Sequence, residues 1–103
     1  MALPNLTPED RAAALAKAAE SRRVRADVKA RLKAGETTVS KVIADGETDE
    51  AIAKLKVVSL LEALPGVGKV KARAIMKEIG IAETRRVRGL GPHQISQLTT
   101  RFG

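Results

Sequence analysis

The stretch Leu64-Pro65-Gly66-Val67-Gly68-Lys69-Val70-Lys71-Ala72 decides how this chain folds. One apolar segment, Val57 to Leu64, runs out at its start, and another, Val70 to Ile79, begins inside it. Pro65 offers no N–H and Gly66 escapes the steric limit on φ, so the first helix must stop there. Gly68 removes a second side chain where the backbone turns again, and Ala72 is small enough to let a second helix lie close to the first. This pattern predicts a helical hairpin around a glycine loop. The N–H groups at the start of its second helix lack helical partners. The helix macrodipole is positive there, so donors and field both favour a phosphate, and Lys69, Lys71 and Arg73 add charge beside it.

With leucine, proline, both glycines, the valine between them and Ala72 in place, Leu64–Ala72 resembles the hairpin of the helix-hairpin-helix family. That resemblance implies a grip on a nucleic-acid backbone without reading of its sequence. The alternative is a helix–helix joint that packs and binds nothing. Around the hairpin, Val57, Leu60, Leu61 and Leu64 predict the packed stripe of the first helix. Val70, Ala74, Ile75 and Ile79 predict that of the second, and Gly80 closes it as Ile81 turns back to the core.

Beyond the hairpin, Glu83-Thr84-Arg85-Arg86-Val87-Arg88-Gly89-Leu90-Gly91 sets three arginines in four residues in a glycine-flanked loop. Val87 and Leu90 are expected to point inward. Arg85, Arg86 and Arg88 are expected to fork onto phosphates, because only Glu83 is near enough in sequence to compete. Gly91-Pro92-His93-Gln94 opens a last helix, packed through Ile95, Leu98 and Phe102. Gly91 leaves free N–H groups at this helix start, and they and the amide of Gln94 are candidates for a second phosphate.

Towards the N-terminus, Thr7-Pro8-Glu9-Asp10 is a helix start with a capping residue, a proline at the first helical position and two carboxylates in the positive first turn. Nothing breaks the helix before Gly35. Val24, Val28 and Leu32 can seal its second half on a core, whereas Leu15 and the alanines of the first half bury little, so that half is expected to project or fray as an arm. Met1 to Leu6 is expected to be a loose extension. Arg22, Arg23, Arg25, Lys29, Arg31 and Lys33 make the helix a candidate backbone-contacting surface, with a plain solvated face as the alternative. Between helix and hairpin, Thr37 or Thr38 caps a short helix through Val39, Val42 and Ile43, and Thr48 or Asp49 starts another with Ile52 and Leu55 inward. This segment is acidic at its start, with Lys54 and Lys56 at its far end as further candidates.

The 103 residues predict an all-α protein: an N-terminal extension and long basic helix over 1–35, then a compact helical core over 36–103. Phe102 is the lone aromatic residue, so the core must be aliphatic. There is no cysteine and one histidine, His93, which excludes a disulfide framework and a thiolate or histidine-pair metal site. No apolar run approaches a membrane span and no signal-peptide pattern opens the chain, which predicts a soluble cytoplasmic protein. The formal charge is +7, distributed as −2 over residues 1–10, +6 over 11–33, −2 over 34–56 and +5 over 57–103. Two basic blocks around an acidic one suggest two surfaces for a polyanion. No Ser-His-Asp set or nucleotide-binding phosphate loop is present, so neither enzymatic activity nor a cofactor is expected.

Two features together narrow the family. Thr7-Pro8-Glu9-Asp10-Arg11-Ala12-Ala13-Ala14-Leu15 leads an Arg/Ala-rich helix; Val57-x-Ser59-Leu60-Leu61-Glu62-x-Leu64-Pro65-Gly66-Val67-Gly68-Lys69-Val70 precedes Arg85-Arg86-Val87-Arg88-Gly89-Leu90-Gly91. Over nearly its whole length the chain resembles the actinobacterial integration host factors of mycobacterial type. Its C-terminal half is also similar to the helix-two-turns-helix domain of a ribosomal small-subunit protein. The first resemblance implies a nucleoid-associated protein that binds double-stranded DNA with little sequence preference, bends it, and assists phage integrase and chromosome compaction. It implies DNA-backbone contacts from Pro65, Gly66, Val67, Gly68, Lys69, Val70 and Lys71, and from Arg85, Arg86 and Arg88, with the long helix as a second contact region. A monomer is expected when free. An RNA-binding or ribosome-associated protein is the alternative; the lack of exposed aromatic side chains argues against single-strand stacking.

Overall fold

Thr7 begins the first helix with the reciprocal bonds that its spacing to Asp10 allows. Its Oγ1 accepts from the Asp10 N–H at 3.1 Å, and its own N–H donates to Asp10 Oδ2 at 3.2 Å. The computed structural model describes residues 7–103, and the extension expected at Met1 to Leu6 lies outside them. From this cap α1 (Pro8–Lys33) runs unbroken for 26 residues and ends with Gly35 at φ +75°. It is followed by α2 (Val39–Asp45), α3 (Glu50–Ala53), α4 (Val57–Glu62), α5 (Lys69–Ile79), a 3-10 turn at Val87–Gly89, and α6 (Pro92–Phe102). The fold is all-α, a long N-terminal helix leading into a compact helical body. Lys56 and Arg86 form an isolated antiparallel bridge.

Capping chemistry sets the short elements. Thr38 Oγ1 accepts from the Lys41 N–H at 3.2 Å to start α2, and Asp49 Oδ1 accepts from the Ala51 N–H at 2.9 Å to start α3. Gly80, at φ +89°, stops α5, with the Gly80 and Ile81 N–H groups both donating to Met76 O at 2.9 and 2.7 Å.

The core is aliphatic throughout. Val28 and Leu32 of α1, Val39 and Val42 of α2, Ile52 of α3, Val57, Leu60 and Leu61 of α4, and Leu98 of α6 are buried together. Val24, Ile95 and Phe102 pack against them half-exposed. The first half of α1 projects rather than frays: it remains helical while residues 7–20 are all exposed, and the molecule is 47 Å along its longest axis.

The stripe expected on α5 is rotated. Its buried side is Ala72, Ile75 and Met76, whereas Val70 is 84% exposed and Ala74 is also outside. At 100° per residue, Val70 lies some 200° from Ala72, so a face containing Ala72 against α4 cannot contain Val70. Met76, absent from the expected stripe, is among the best-buried side chains. Truncating a fully buried side chain such as Leu60 should leave a cavity. Leu60→Ala should therefore lower unfolding stability by about 2–5 kcal/mol, measured by urea denaturation. A loss below about 1 kcal/mol would mean that this part of the core is loosely packed.

Candidate nucleic-acid interface

At the hairpin, the chain leaves α4 through Leu64 and turns at Gly66, whose φ is +77°. The Val67 N–H donates back to Leu64 O at 3.1 Å, and the Val67 side chain is buried. Gly68 is the N-cap of α5, and no side chain caps this helix. The Ala72 N–H to Gly68 O bond, 2.9 Å, closes the first turn, so the N–H groups of Lys69, Val70 and Lys71 point outward ahead of it. Pro65, Gly66, Gly68, Lys69, Val70 and Lys71 are exposed around them. Ala72 is fully buried, as a close helix–helix approach requires. Of the two hairpin glycines, only Gly66 is demanded by backbone conformation. Gly68 has φ −92°, and a Cβ built there would meet nothing within 4 Å.

The arginine loop is held by backbone and by two inward side chains. The Val57 N–H donates to Arg85 O and the Val87 N–H to Leu55 O, each at 2.9 Å, while Val87 and Leu90 are buried. Arg85 Nη1 donates to Gly89 O at 2.6 Å and Arg86 Nη1 to Lys54 O at 2.9 Å. A guanidinium carries five N–H donors, so both keep others free for a ligand while their heads are fixed. Glu83, the acid closest to the loop arginines in sequence, pairs instead with Arg73 at 3.3 Å. Arg88 is exposed.

The sequence suggested two basic surfaces, one over residues 11–33 and one over 57–103; the structure lays α1, which carries the first, against the arginine loop and the hairpin of the second. Lys17, Arg22 and Arg25 share a groove with Lys54 and Arg86. Lys29 and Lys33 lie beside Ser59, Glu62 and Ala63 of the α4 end, and Lys33 also borders Leu64–Gly68 of the hairpin. Arg22, Arg25, Lys29 and Lys33 are spaced three, four and four residues apart, which puts them on one side of the helix. The result is one cationic stripe with the arginine loop at one end and the hairpin at the other. Lys33 was among the helix cations expected from the sequence, and Lys17 is a member that sequence reasoning missed. Its spacing from Arg25 was a signal, but which side of α1 meets the loops depends on how it crosses the core. Arg23 lies off the stripe and pairs with Glu20.

At the last helix the structure engages part of the expected donor set. Gln94 Oε1 accepts from the Gly91 N–H, and Gln94 Nε2 donates to Gly80 O, both at 3.0 Å. The amide thus ties the start of α6 to the end of α5, which fixes its position and leaves one N–H of Nε2 over. The same bond occupies the Gly91 N–H, while the His93 and Gln94 N–H groups of the first turn lie ahead of the Ile95 N–H to Gly91 O bond that closes it. Lys56 is exposed at the start of α4, whereas Lys54 is engaged by Glu50 at 3.0 Å. Lys17 also reaches Glu50, at 3.9 Å. The hydrogen bond and charge of Lys54, then the charges of Lys17 and Arg88, hold the Glu50 carboxyl below the usual range. Its pairing is therefore intact above the ordinary carboxylate pKa and is lost only as pH falls through the lowered value. Among the described residues no helix is long and apolar enough to cross a membrane.

A family model for S13-like H2TH domains matches residues 32–102. The chain is similar to Integration host factor of Streptomyces coelicolor, 58% identical over 103 residues, covering 100% of this chain and 96% of that protein. It is 59% identical over 103 residues to Integration host factor of Mycobacterium tuberculosis, with 100% and 98% covered. The Mycolicibacterium smegmatis protein of the same name is 60% identical over 102 residues, with 99% and 97% covered. A solved structure of sIHF bound to an 8-bp palindromic DNA superposes with a TM-score of 0.82 at 54% identity, over 84% of this chain and 98% of that one.

Glu50 is an internal anion within this cationic field. Glu50→Gln should tighten duplex binding roughly two- to fivefold at low salt, and the gain should fade as salt screens the field. Fluorescence anisotropy reads the affinity. An unchanged value at low salt would put Glu50 and its lysines outside the interface.

Proposed function

This chain belongs to the integration host factor family of actinobacteria, with an S13-like H2TH domain over residues 32–102, and we propose that it is a nucleoid-associated protein that binds double-stranded DNA through its backbone with little sequence preference. One observation carries the proposal. A run of open N–H groups, at a turn where Gly68 is not required by the fold, lies at the end of a continuous cationic stripe. A glycine with open space around it is explained by close approach of something outside the protein. The donors behind it suit a phosphate, and the relative bound to DNA supports DNA as its source.

Pro65–Lys71 grip one stretch of backbone through main-chain donors and the Lys69 and Lys71 charges. Arg85, Arg86 and Arg88, with Arg22, Arg25 and Lys54, hold another. From Arg22 to Lys33 the helix spans about 16 Å, the length of roughly five phosphates along one strand. Each neutralised phosphate releases condensed counterions, so affinity should fall steeply with salt. Two grips on one rigid body bend a duplex that engages both, at a cost of roughly 1–6 kcal/mol, and bridge two duplexes that engage one each. The single aromatic side chain, Phe102, is packed against the core, so the bend is electrostatic wrapping rather than a kink by an aromatic wedge. Assistance to phage integrase and compaction of the chromosome follow from such bending and bridging, and place the protein in the nucleoid. The large exposed apolar side chains among the described residues are Leu15 and Val70, on separate elements rather than in one patch, which suits a free monomer.

The experiment is an anisotropy titration with matched duplex DNA and duplex RNA over a range of salt. Sequence-indifferent DNA binding with a steep salt slope is the expected result. Equal or better binding to RNA would favour a ribosome-associated protein, the alternative to which the S13-like domain lends some support. Arg86→Ala should weaken binding uniformly across sequences and lower the salt slope by about one. Gly68→Val should preserve the helical circular dichroism spectrum, since a Cβ there meets nothing, yet reduce DNA affinity roughly tenfold by blocking the approach. Full affinity in a folded Gly68→Val protein would remove the hairpin from the interface.

A further inference from the structure

Val70 departs from the logic of the rest of the surface. It is 84% exposed, more than Leu15 at 70%, and it is the second residue of α5, between Lys69 and Lys71. A β-branched side chain at an exposed helical position lowers helix propensity and buries almost nothing. A third lysine there would serve simple phosphate attraction better. Helical Cα–Cβ bonds tilt towards the N-terminus, so the Val70 methyls stand beside the open N–H groups of Lys69, Val70 and Lys71. Gly66 and Gly68 put no side chain across from them.

We propose that Val70 makes this hairpin selective for deoxyribose over ribose. The proposal deepens the DNA-binding one and rests on it. A phosphate in the hairpin brings its attached sugar against the neighbouring side chain. The C2′ of deoxyribose carries only hydrogens, which meet methyl groups without loss. Ribose carries a 2′-hydroxyl, both donor and acceptor, which the methyl groups strip of water and leave without a partner. Lys69, Lys71 and the backbone donors attract the phosphates of either nucleic acid, so discrimination at this grip falls to Val70.

Val70→Thr keeps the shape and β-branching and adds a hydroxyl able to pair with the 2′-hydroxyl. The affinities of wild type and variant are measured on DNA and RNA duplexes of one sequence at one salt concentration. Melting midpoints should be unchanged, because the side chain is exposed. The DNA-to-RNA affinity ratio should fall roughly five- to tenfold in the variant, chiefly by tighter RNA binding. An unchanged ratio in a variant that still binds DNA overturns the role of Val70 and leaves DNA binding standing. Absence of DNA binding by the wild type overturns both.

Discussion

Burial of two valines, each in the middle of a loop, fixes the two loops proposed to meet DNA. Val67 anchors the glycine hairpin and Val87 anchors the arginine loop, both among the aliphatic side chains of the core. Without aromatic bulk the core has little tolerance for a misplaced methyl group, since its stability comes from close packing of many small contacts. Each valine is therefore a short tether. Exposed cationic or donor groups stand on either side of it, and the loop cannot shift without opening a cavity. The backbone bonds between Leu55–Val57 and Arg85–Val87 add a second constraint on the arginine loop.

Much of this architecture was legible because helix ends are local chemistry. Thr7, Thr38 and Asp49 cap where a side-chain oxygen must, and Gly35 and Gly80 stop where a positive φ must be reached. The phase of α5 was less legible. Val70, Ala74, Ile75 and Ile79 make a plausible stripe, but Ala72 packs against α4, and that contact rotates Val70 outward. The cationic stripe was visible only as charge. Its continuity depends on α1 crossing the core so that Arg25 meets Arg86 while Lys33 meets the hairpin, and a sequence holds no direct record of that crossing. Gln94 looked like a free donor because its partner, Gly80 O, is fourteen residues away.

The ion pairs across this surface are exposed, and exposed pairs contribute little to stability. Lys54 with Glu50, Arg73 with Glu83 and Arg101 with Glu78 can thus exchange partners at small cost. A carboxylate held this way keeps a lysine or arginine oriented while leaving it available. The arginines bonded to backbone carbonyls differ: Arg85 and Arg86 keep fixed heads whether or not a ligand is present.

The projecting half of α1 is already helical, stapled at its tip by Thr7 and Asp10. A segment that folded only on contact would lose about 1–2 kcal/mol of chain freedom for every residue ordered. Such a segment would act as a flexible tether, reaching many directions with equal ease. A finished helix forgoes that reach and behaves as a strut. Whatever lies along the cations from Arg22 to Lys33 on the same helix would then take its trajectory from the protein's own axis rather than negotiate it at each encounter.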